Sequence, residues 1–249
     1  MSSAGYNSSR GQRLASSSSD DHQSLVPYCF RNSVTSPEQL HYSIGKTIGS
    51  GTYAKVKAAW SPYERKMIAI KILEKRGASQ EVLDKFLPRE MAVVRRLNHP
   101  SVLRVFHVVE TPREVYFMLE MAENGDLLDY INWRRFLPEP EARYVLRGVA
   151  AGVSHCHSKN IVHRDLKCEN IMITREMRVK IGDFGFSRLV GRGESPVTTP
   201  CGSYSYAAPE LLSSRPGDTY DGKKSDIWSI NSTAKHRFGA CKLLSIVAI

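Results

Sequence analysis

Residues 161–170 read Ile-Val-His-Arg-Asp-Leu-Lys-Cys-Glu-Asn and combine three side chains of the types that act together in phosphate transfer. The carboxylate of Asp165 can orient an attacking hydroxyl and accept its proton. The amide oxygen of Asn170 can hold a metal ion, and Lys167 between them can neutralise a migrating phosphate. Asp183-Phe184-Gly185 follows eighteen residues after Asp165 and supplies another carboxylate, a hard oxygen ligand of the kind that Mg²⁺ prefers. The spacing predicts a metal-dependent phosphate-transfer site.

Two motifs upstream are candidates for holding the phosphates of a nucleotide. Residues 48–56 place two glycines between predicted strands, where backbone N–H groups can approach phosphate oxygens that a Cβ would obstruct. Ile68-Ala69-Ile70-Lys71 is an apolar strand ending in a cation, which can hold phosphates if Glu90 on the next helix fixes it. Taken alone, the first motif also fits a plain Gly-rich hairpin, and the second fits a surface lysine with an unrelated glutamate.

The order of these motifs is more specific than any one of them. The Gly-rich loop, the strand lysine, the helix glutamate, the catalytic loop and Asp-Phe-Gly follow one another along the chain. Ala208-Pro209-Glu210 then closes the segment that begins at Asp183. Chance does not explain this order, so the motifs are interpreted together.

The composition of the 249 residues, 41% apolar and 24% charged, is ordinary for a globular protein. The net charge of +10 is interpreted as a solvated basic surface, because no run of Lys and Arg with interleaved aromatic residues stands out. We therefore expect neither nucleic acid nor membrane as a partner. Five cysteines without a Cys-x-x-Cys pair, a polar N-terminus and the lack of any apolar run of about 18 residues predict a soluble cytoplasmic protein.

The composition and the hydrophobic periodicity of the sequence change twice along the chain. Residues 1–41 are rich in Ser and are predicted to be disordered, since they cannot bury enough apolar surface to offset their ordering entropy. From Tyr42 onward, short β-branched segments predict antiparallel strands. After Asn124-Gly125 the periodicity is helical. One predicted helix face consists of Ala142, Val145, Leu146, Val149 and Val153. Strands first and helices afterwards predict an α+β fold whose two lobes meet at a cleft near residues 120–124.

From Tyr42 to Ile230 the chain resembles the protein kinase superfamily. The lysine in His-Arg-Asp-Leu-Lys-Cys-Glu-Asn is typical of serine/threonine kinases. The segments 85–91, 125–131, 161–170, 183–188 and 201–210 are similar to the testis-specific serine/threonine kinases, within the calcium/calmodulin-dependent kinase group. The resemblance implies the two-lobe kinase fold, with a small antiparallel-sheet lobe carrying one helix and a mostly helical second lobe. It also implies ATP and Mg²⁺ as cofactors and a protein Ser/Thr hydroxyl as acceptor.

The same resemblance assigns roles to individual residues. Catalytic roles are implied for Lys71, Glu90, Asp165, Lys167 and Asn170. Asn170 and Asp183 would hold the metal. The nucleotide site would comprise Ile48, Gly49, Ser50, Gly51, Thr52, Tyr53, Ala54, Lys55, Val56, Ala69, Lys71, Glu120, Ala122 and Met172. Within it, Leu119 corresponds to the gatekeeper and residues 120–122 to the hinge between the lobes. Ala54 stands where the family pattern has a third glycine.

Regulation and substrate choice also follow from the resemblance. Thr199 matches the activation-loop threonine, whose phosphate Arg164 would pair with after an upstream kinase or autophosphorylation adds it. An unmodified loop hydroxyl, or modification of the neighbouring Thr198 instead, remains an alternative. Ser203 matches the hydroxyl residue that steadies Asp165 and Lys167. Asp126 and Glu169 lie where related kinases attract an arginine upstream of the target serine, although Asp126 is equally readable as a solvated acid.

The C-terminal part departs from the family pattern. Ser225-Asp226-Ile227-Trp228-Ser229-Ile230 matches, but Asn231 replaces a glycine and residues 232–249 no longer resemble a kinase. The predicted division is therefore an N-lobe and hinge over 42–122, a partial C-lobe over 123–231, and a divergent tail over 232–249.

A truncated C-lobe has a predicted physical consequence and leaves three functions to compare. The helix bearing Asp226 would be cut short, leaving apolar surface of helix 139–157 and segment 161–183 exposed. The chain is predicted to be a serine/threonine kinase. The main alternative is a truncated, catalytically impaired isoform that binds nucleotide or a partner, and a more distant one is an unrelated basic nucleotide- or RNA-binding protein.

Overall fold

The computed structural model describes residues 28–30, 37–38, 41–51, 54–191, 197–198, 201–215 and 217–238. The first part of the described chain forms six strands, β1 (Tyr28–Phe30), β2 (Ser43–Ser50), β3 (Ala54–Ser61), β4 (Lys66–Glu74), β5 (Val105–Glu110) and β6 (Glu114–Leu119). They make one sheet in the order β1-β5-β6-β4-β3-β2, antiparallel throughout except between β1 and β5. The strands from β2 to β6 form because β-branched and aromatic residues alternate along segments bounded by turns.

One helix packs beside this sheet. A widened helical turn at Val82–Phe86 leads directly into α1 (Leu87–Val94), and Pro88, which has no N–H to donate, lies at the junction between the two. The buried side of α1 contributes Met91, Val93 and Val94 to the core, and it also buries Glu90. The expected single helix of the small lobe is thereby confirmed.

The second part of the described chain is mainly helical. Its elements are α2 (Leu127–Arg134), α3 (Glu139–Ser158), β7 (Ile161–Val162), β8 (Ile171–Ile173), β9 (Val179–Ile181), β10 (Arg188–Leu189), α4 (Pro209–Leu212) and α5 (Gly222–Phe238), with single helical turns at Cys168–Asn170 and Tyr204–Tyr206. All five apolar residues predicted for one face of α3 are buried, which confirms that face. They share a core with residues of α1, β5 and β6, so apolar packing continues from one lobe into the other.

Helix α5 does not end where the family-like sequence stops. It continues through Asn231 to Phe238, and Ile230 and Ala234 are buried in the same core as α3. The expectation of exposed apolar surface along α3 is therefore wrong. The added turns of α5 supply the cover, because small or β-branched residues at 230, 233 and 234 pack on the inner side of the helix.

Strand β1 lies within the segment that was predicted to be disordered. Tyr28–Phe30 pairs in parallel with His107–Val109 at the edge of the sheet. Residues 1–27 and 31–36 lie outside the described part of the chain, so the prediction for that segment as a whole stays a prediction. Among the helices described, none is both long and apolar enough to cross a membrane.

Candidate active site

The catalytic loop that follows β7 is held in place by the carboxylate of Asp226 on α5. Asp226 is buried, and its two oxygens accept hydrogen bonds from the backbone nitrogens of His163 (2.9 Å) and Arg164 (2.8 Å). The Nε2 of His157 on α3 donates to the same carboxylate at 2.8 Å. Arg164 has a left-handed backbone with φ of 70°, a conformation that costs free energy in a residue with a side chain. Asp226 stabilises this strained turn and thereby sets the direction of the next residue, Asp165.

Asp165 lies at the centre of a hydrogen-bond network. Its Oδ1 accepts hydrogen bonds from the backbone nitrogen and the hydroxyl of Ser203, at 2.9 and 3.0 Å. Its Oδ2 lies 3.0 Å from Nζ of Lys167 and 3.1 Å from Nδ2 of Asn170. Lys167 also donates to the Ser203 hydroxyl at 2.9 Å. The carboxylate is therefore held in one orientation by four donors, and the lysine predicted to neutralise a phosphate lies beside it.

The predicted pairing of Lys71 with Glu90 is present and includes a third residue. Nζ of Lys71 lies 3.0 Å from Oε1 of Glu90 and 3.0 Å from Oδ1 of Asp183. Burial lowers the pKa of Lys71, but the charges of Glu90 and Asp183 and their hydrogen bonds outweigh it, so the pKa is raised overall. The lysine charge holds the pKa of Asp183 below its usual value, against the opposing effect of burial. Lys71 and Asp183 are therefore both charged at neutral pH, and α1, β4 and the Asp-Phe-Gly segment converge on one point.

Asp183 and Asn170 are brought together by the backbone between them. The nitrogen of Gly182 donates to the carbonyl oxygen of Asn170 at 2.9 Å, and the Nε2 of His163 donates to the Gly182 carbonyl at 2.9 Å. Phe184 is buried, and its ring packs on His163 with 5.0 Å between ring centres. Asp183 itself has a left-handed φ of 52°, which turns its carboxylate away from the buried Phe184 and toward Lys71. The segment therefore presents its carboxylate to the cleft and its aromatic ring to the core.

The donor atoms near Asp183 fit a hard divalent cation. Because the Nδ2 of Asn170 donates to the backbone oxygen and to Oδ2 of Asp165, the amide oxygen Oδ1 is the atom left to serve as a ligand. One oxygen of Asp183 accepts from Lys71, which leaves the other for a metal. A carboxylate and an amide oxygen, completed by phosphate oxygens and water, make an oxygen set that Mg²⁺ accepts.

The Gly-rich turn between β2 and β3 is described in part. Gly51 donates its N–H to the carbonyl of Ala54 at 2.8 Å, which closes the hairpin, and Gly49 lies opposite Val56. A Cβ at Gly49 would come within ordinary contact of the Val56 side chain, 3.7 Å away. Thr52 and Tyr53, both predicted for the nucleotide site, lie outside the described residues. The other predicted members of this turn are Ile48, Ser50 and Ala54, which are described and line the same hairpin.

The amino-acid sequence is similar to those of known proteins, and the similarity agrees with this geometry. The protein kinase domain model matches residues 42–235. This chain belongs to the protein kinase family. The mouse testis-specific serine/threonine-protein kinase 3 is 40% identical over 191 residues, which are 76% of this chain and 70% of that protein. The human form is 39% identical over the same extent. The resemblance seen in the sequence and the expected α+β kinase fold are both confirmed.

A second relative is similar to a smaller share of its own length. The mouse testis-specific serine/threonine-protein kinase 1 is 40% identical over 194 residues, covering 76% of this chain and 52% of that relative. The chain thus spans about half the length of this relative. The family match extends to residue 235 and so covers the first four residues of the predicted divergent tail, in agreement with the continuation of α5.

Several of the residues predicted for the nucleotide site lie on the hinge side of this kinase. Ala69 on β4 pairs with Leu119 on β6, and residues 120–122 follow directly. Met172 on β8 lies close to Gly182, since a Cβ added to that glycine would be 3.7 Å from Cγ of Met172. Ala122 accepts a hydrogen bond from Gly125, which turns the chain into the second lobe.

Lys180 on β9 contacts the hinge, a role that the sequence did not predict. Its Nζ is buried and lies 2.9 Å from Oε2 of Glu120, so the strand β9 of one lobe is paired with the hinge. The same oxygen of Glu120 accepts from the backbone nitrogen of Arg104 at 3.3 Å. The side chain of Glu120 is thus committed to structure, and its backbone nitrogen donates to the carbonyl of Arg104 at 2.9 Å, so its backbone carbonyl oxygen remains for a nucleotide.

Lys55 was also predicted for the nucleotide site, but its side chain makes a different contact. Its Nζ pairs with Glu74 at 2.7 Å, on the exposed side of the sheet. Because side chains alternate along a strand, Ala54 and Val56 face the cleft when Lys55 faces solvent. The contribution of Lys55 to the kinase nucleotide site is restricted to its backbone in this arrangement.

The proposed phosphate-binding residue Arg164 is buried beneath the activation segment. Its Nε donates to the carbonyl oxygen of Phe186 at 2.7 Å, and its guanidinium also hydrogen-bonds Tyr220. Thr199 lies outside the described residues, so its pairing with Arg164 stays a prediction. Arg164 is nevertheless located where it joins the catalytic loop to the segment that begins at Asp183.

Proposed function

We infer that this kinase transfers the terminal phosphate of ATP to serine or threonine hydroxyls of protein substrates. The observation that carries this function is the single orientation of Asp165, whose carboxylate is held by Ser203, Lys167 and Asn170. A carboxylate so placed can align a hydroxyl and take up its proton as the bond to phosphorus forms. The pairing of Lys167 with Ser203 supports Ser/Thr as the acceptor, together with the similarity to serine/threonine kinases.

The residues of the chain divide the work of the reaction. Lys71, fixed by Glu90, can bind nucleotide phosphates in place of, or beside, its contact with Asp183. Lys167 can balance negative charge on the phosphate as it moves toward the acceptor. The bound cation supplies charge neutralisation of the phosphates, and we propose Mg²⁺, which Asn170 and Asp183 would hold through the oxygens described above.

Substitution of the proton acceptor tests this function. Purified chain carrying Asp165→Asn should lose phosphate transfer by about 10²–10⁴-fold, the usual contribution of a general base. Its thermal shift on addition of Mg·ATP should remain, since Asp165 is not proposed to contact nucleotide. Transfer within a few-fold of the unmodified chain would refute the role of Asp165. If the unmodified chain binds nucleotide but does not transfer phosphate, the result would instead favour the alternative of a chain that only binds.

We also propose that substrates carry a basic residue near the target hydroxyl. Burial raises the pKa of Asp126, and the negative charges of Asp129 and, to a smaller extent, Glu169 raise it further by repulsion. The Oε2 of Glu169 is buried and has no hydrogen-bond partner among the residues described. An arginine side chain from a substrate would relieve both the repulsion and the missing hydrogen bond.

Peptide kinetics test this preference. Replacing an upstream arginine of a serine peptide with citrulline, which is similar in shape but uncharged, should raise KM for the unmodified chain. The citrulline penalty should shrink in Glu169→Gln and stay unchanged in Glu64→Gln, a control with the same charge change on the sheet lobe. An equal citrulline penalty in Glu169→Gln would refute this part of the proposal.

Activation and location complete the proposal. Phosphorylation of Thr199, by another kinase or by this one, would supply a dianion with which Arg164 can pair. Mass spectrometry of active and inactive fractions checks the site, with Thr198 as the alternative. We propose an intracellular location, which the free thiols of Cys156 and Cys201 support, and fluorescence microscopy of a tagged chain checks it.

A further inference from the structure

The turn that ends α2 exposes two large aromatic side chains. Trp133 is 76% exposed and Phe136 is 69% exposed, and the sequence between them is Arg134-Arg135. We call residues 133–136 the aromatic–arginine turn. Buried Ile131 precedes it and buried Leu137 follows it, so both ends of the turn are anchored in the core. Exposed aromatic groups on an anchored turn are the composition found at the centre of protein interfaces.

Specific contacts fix the conformation of this turn. Arg134 donates from Nη1 to the hydroxyl of Tyr130 at 3.2 Å and from Nη2 to Oε1 of Glu141 at 3.0 Å. The ring of Tyr130 lies 6.1 Å from that of Trp133, centre to centre. Arg135 has a left-handed φ of 66°, which ends the helix and directs the chain outward at Phe136. A binding partner would therefore meet a preorganised surface and would spend little free energy on ordering it.

The charges of the turn indicate the chemistry of its partner. Glu141 neutralises Arg134, whereas Arg135 is exposed in the same turn and Arg147 is exposed further along α3. The uncompensated charge is positive, so an acidic partner is favoured. The second oxygen of Glu141, Oε2, is buried without a hydrogen-bond partner among the described residues, and it offers an acceptor for an N–H group of that partner.

We propose that the aromatic–arginine turn is a docking site for an acidic peptide segment that carries large apolar side chains. The apolar side chains pack on Trp133 and Phe136, and the acidic groups pair with Arg135. Helix α2 begins beside Asp126 at the cleft, and seven residues at about 1.5 Å each separate Asp126 from Trp133 by about 10 Å. Docking at the turn is therefore distinct from binding at the phosphate-transfer site and does not depend on that activity.

Selection from a random 12-residue peptide library tests the proposal without ATP. Library members that bind the unmodified chain are counter-selected on the Trp133→Ala/Phe136→Ala chain, and one enriched peptide is synthesised for anisotropy titrations. Enriched peptides should contain Asp or Glu together with at least one large apolar residue. Arg135→Glu should weaken binding of that peptide about tenfold, as expected for loss and reversal of a charge contact.

Matched controls separate docking from loss of folding. Trp60→Ala removes another exposed aromatic residue on β3, and Arg113→Glu reverses a charge at the β5–β6 turn. Both should bind the peptide within twofold of the unmodified chain, and all variants should keep their thermal shift with Mg·ATP. The proposal would be overturned if no selected peptide distinguished the unmodified chain from the Trp133→Ala/Phe136→Ala chain, or if basic peptides were enriched. Tighter binding of an oligouridine 12-mer that requires Trp133 would overturn it in favour of single-stranded RNA.

Discussion

Ser203 donates two hydrogen bonds to the same carboxylate oxygen of Asp165, one from its backbone nitrogen at 2.9 Å and one from its hydroxyl at 3.0 Å. The hydroxyl also accepts from Lys167, so it joins the proton acceptor to the cation beside it. Ser203 begins the turn that leads toward Ala208-Pro209-Glu210, at the far end of the activation segment. The position of that segment is thereby coupled to the orientation of the catalytic carboxylate.

Removing this hydroxyl should reduce turnover more than nucleotide binding. In Ser203→Ala we expect kcat to fall about 10–100-fold, because a hydrogen bond to a charged group contributes about 1.5–3 kcal/mol. KM for ATP should change little, since Ser203 lies on the acceptor side of the site. Ser203→Thr keeps the hydroxyl and should retain most of the activity. Equal losses in Ala and Thr variants would show that side-chain volume, and not the hydroxyl, matters at this position.

The pairing of Lys71 with Asp183 predicts a pH window for stability. The depressed pKa of Asp183 contributes stability that is present above its unfolded pKa of about 3.9 and lost as the pH falls below it. The raised pKa of Lys71 contributes stability that is present below its unfolded value of about 10.4 and lost above it. The difference in Tm between the unmodified chain and Lys71→Met should therefore stay level from pH 5 to 9 and shrink below about pH 4.

A different outcome would contradict this assignment. A Tm difference that changes steadily between pH 5 and 9 would mean that another titrating group responds to Lys71. Lys75→Met is a suitable control, because Lys75 pairs with Glu110 at 2.9 Å away from the cleft. The difference in Tm between Lys75→Met and the unmodified chain does not depend on the protonation of Asp183. This difference shows how much the loss of a single lysine changes stability by itself.

The catalytic constellation could be predicted from the sequence because chemistry restricts it. Asp165, Asn170 and Asp183 need particular side chains at short, fixed spacings, and the structure brings them together as expected. The outward direction of Lys55 could also have been predicted, since strand alternation places it opposite to Val56. The continuation of α5 had a signal as well, because residues 232–238 contain neither Gly nor Pro.

Other features could not be predicted because they join distant parts of the chain. The ion pair of Glu120 with Lys180 links residues 60 positions apart, and neither lies in a motif with a fixed spacing. The parallel pairing of Tyr28–Phe30 with β5 depends on an edge that is created only when the sheet has folded. The exposure of Trp133 was hidden in the sequence, since an aromatic residue in an amphipathic helix is usually buried.

A pair of stacked histidines predicts a second pH effect. The rings of His99 and His155 lie 4.9 Å apart at 21°, and Nε2 of His155 accepts from the backbone nitrogen of Asn98 at 3.4 Å. Burial, His99 and Lys159 together lower the pKa of His155. A lowered histidine pKa contributes stability that is present above the unfolded value of about 6.5 and lost as the pH falls below it.

Substitution of His155 isolates this effect. His155→Phe keeps the ring stack but cannot be protonated, so its Tm should fall less between pH 7 and 5 than that of the unmodified chain. His41→Gln is a control at an exposed position, and its Tm should fall between pH 7 and 5 as much as that of the unmodified chain. Identical pH slopes for His155→Phe and the unmodified chain would exclude His155 as the titrating group.

Asp226 should be the most sensitive single position for stability outside the phosphate site. In Asp226→Ala the backbone nitrogens of His163 and Arg164 lose their acceptor while remaining buried, at a cost of about 1–3 kcal/mol for each. Since a domain is stable by only about 5–15 kcal/mol, the midpoint of urea denaturation should fall sharply, and the strained turn at Arg164 should be released with it. Asp218→Ala, in an exposed loop where Asp218 accepts from the Arg215 nitrogen at 2.7 Å, should shift the midpoint little. Similar midpoints for the two variants would mean that the catalytic loop holds its left-handed turn without the α5 carboxylate.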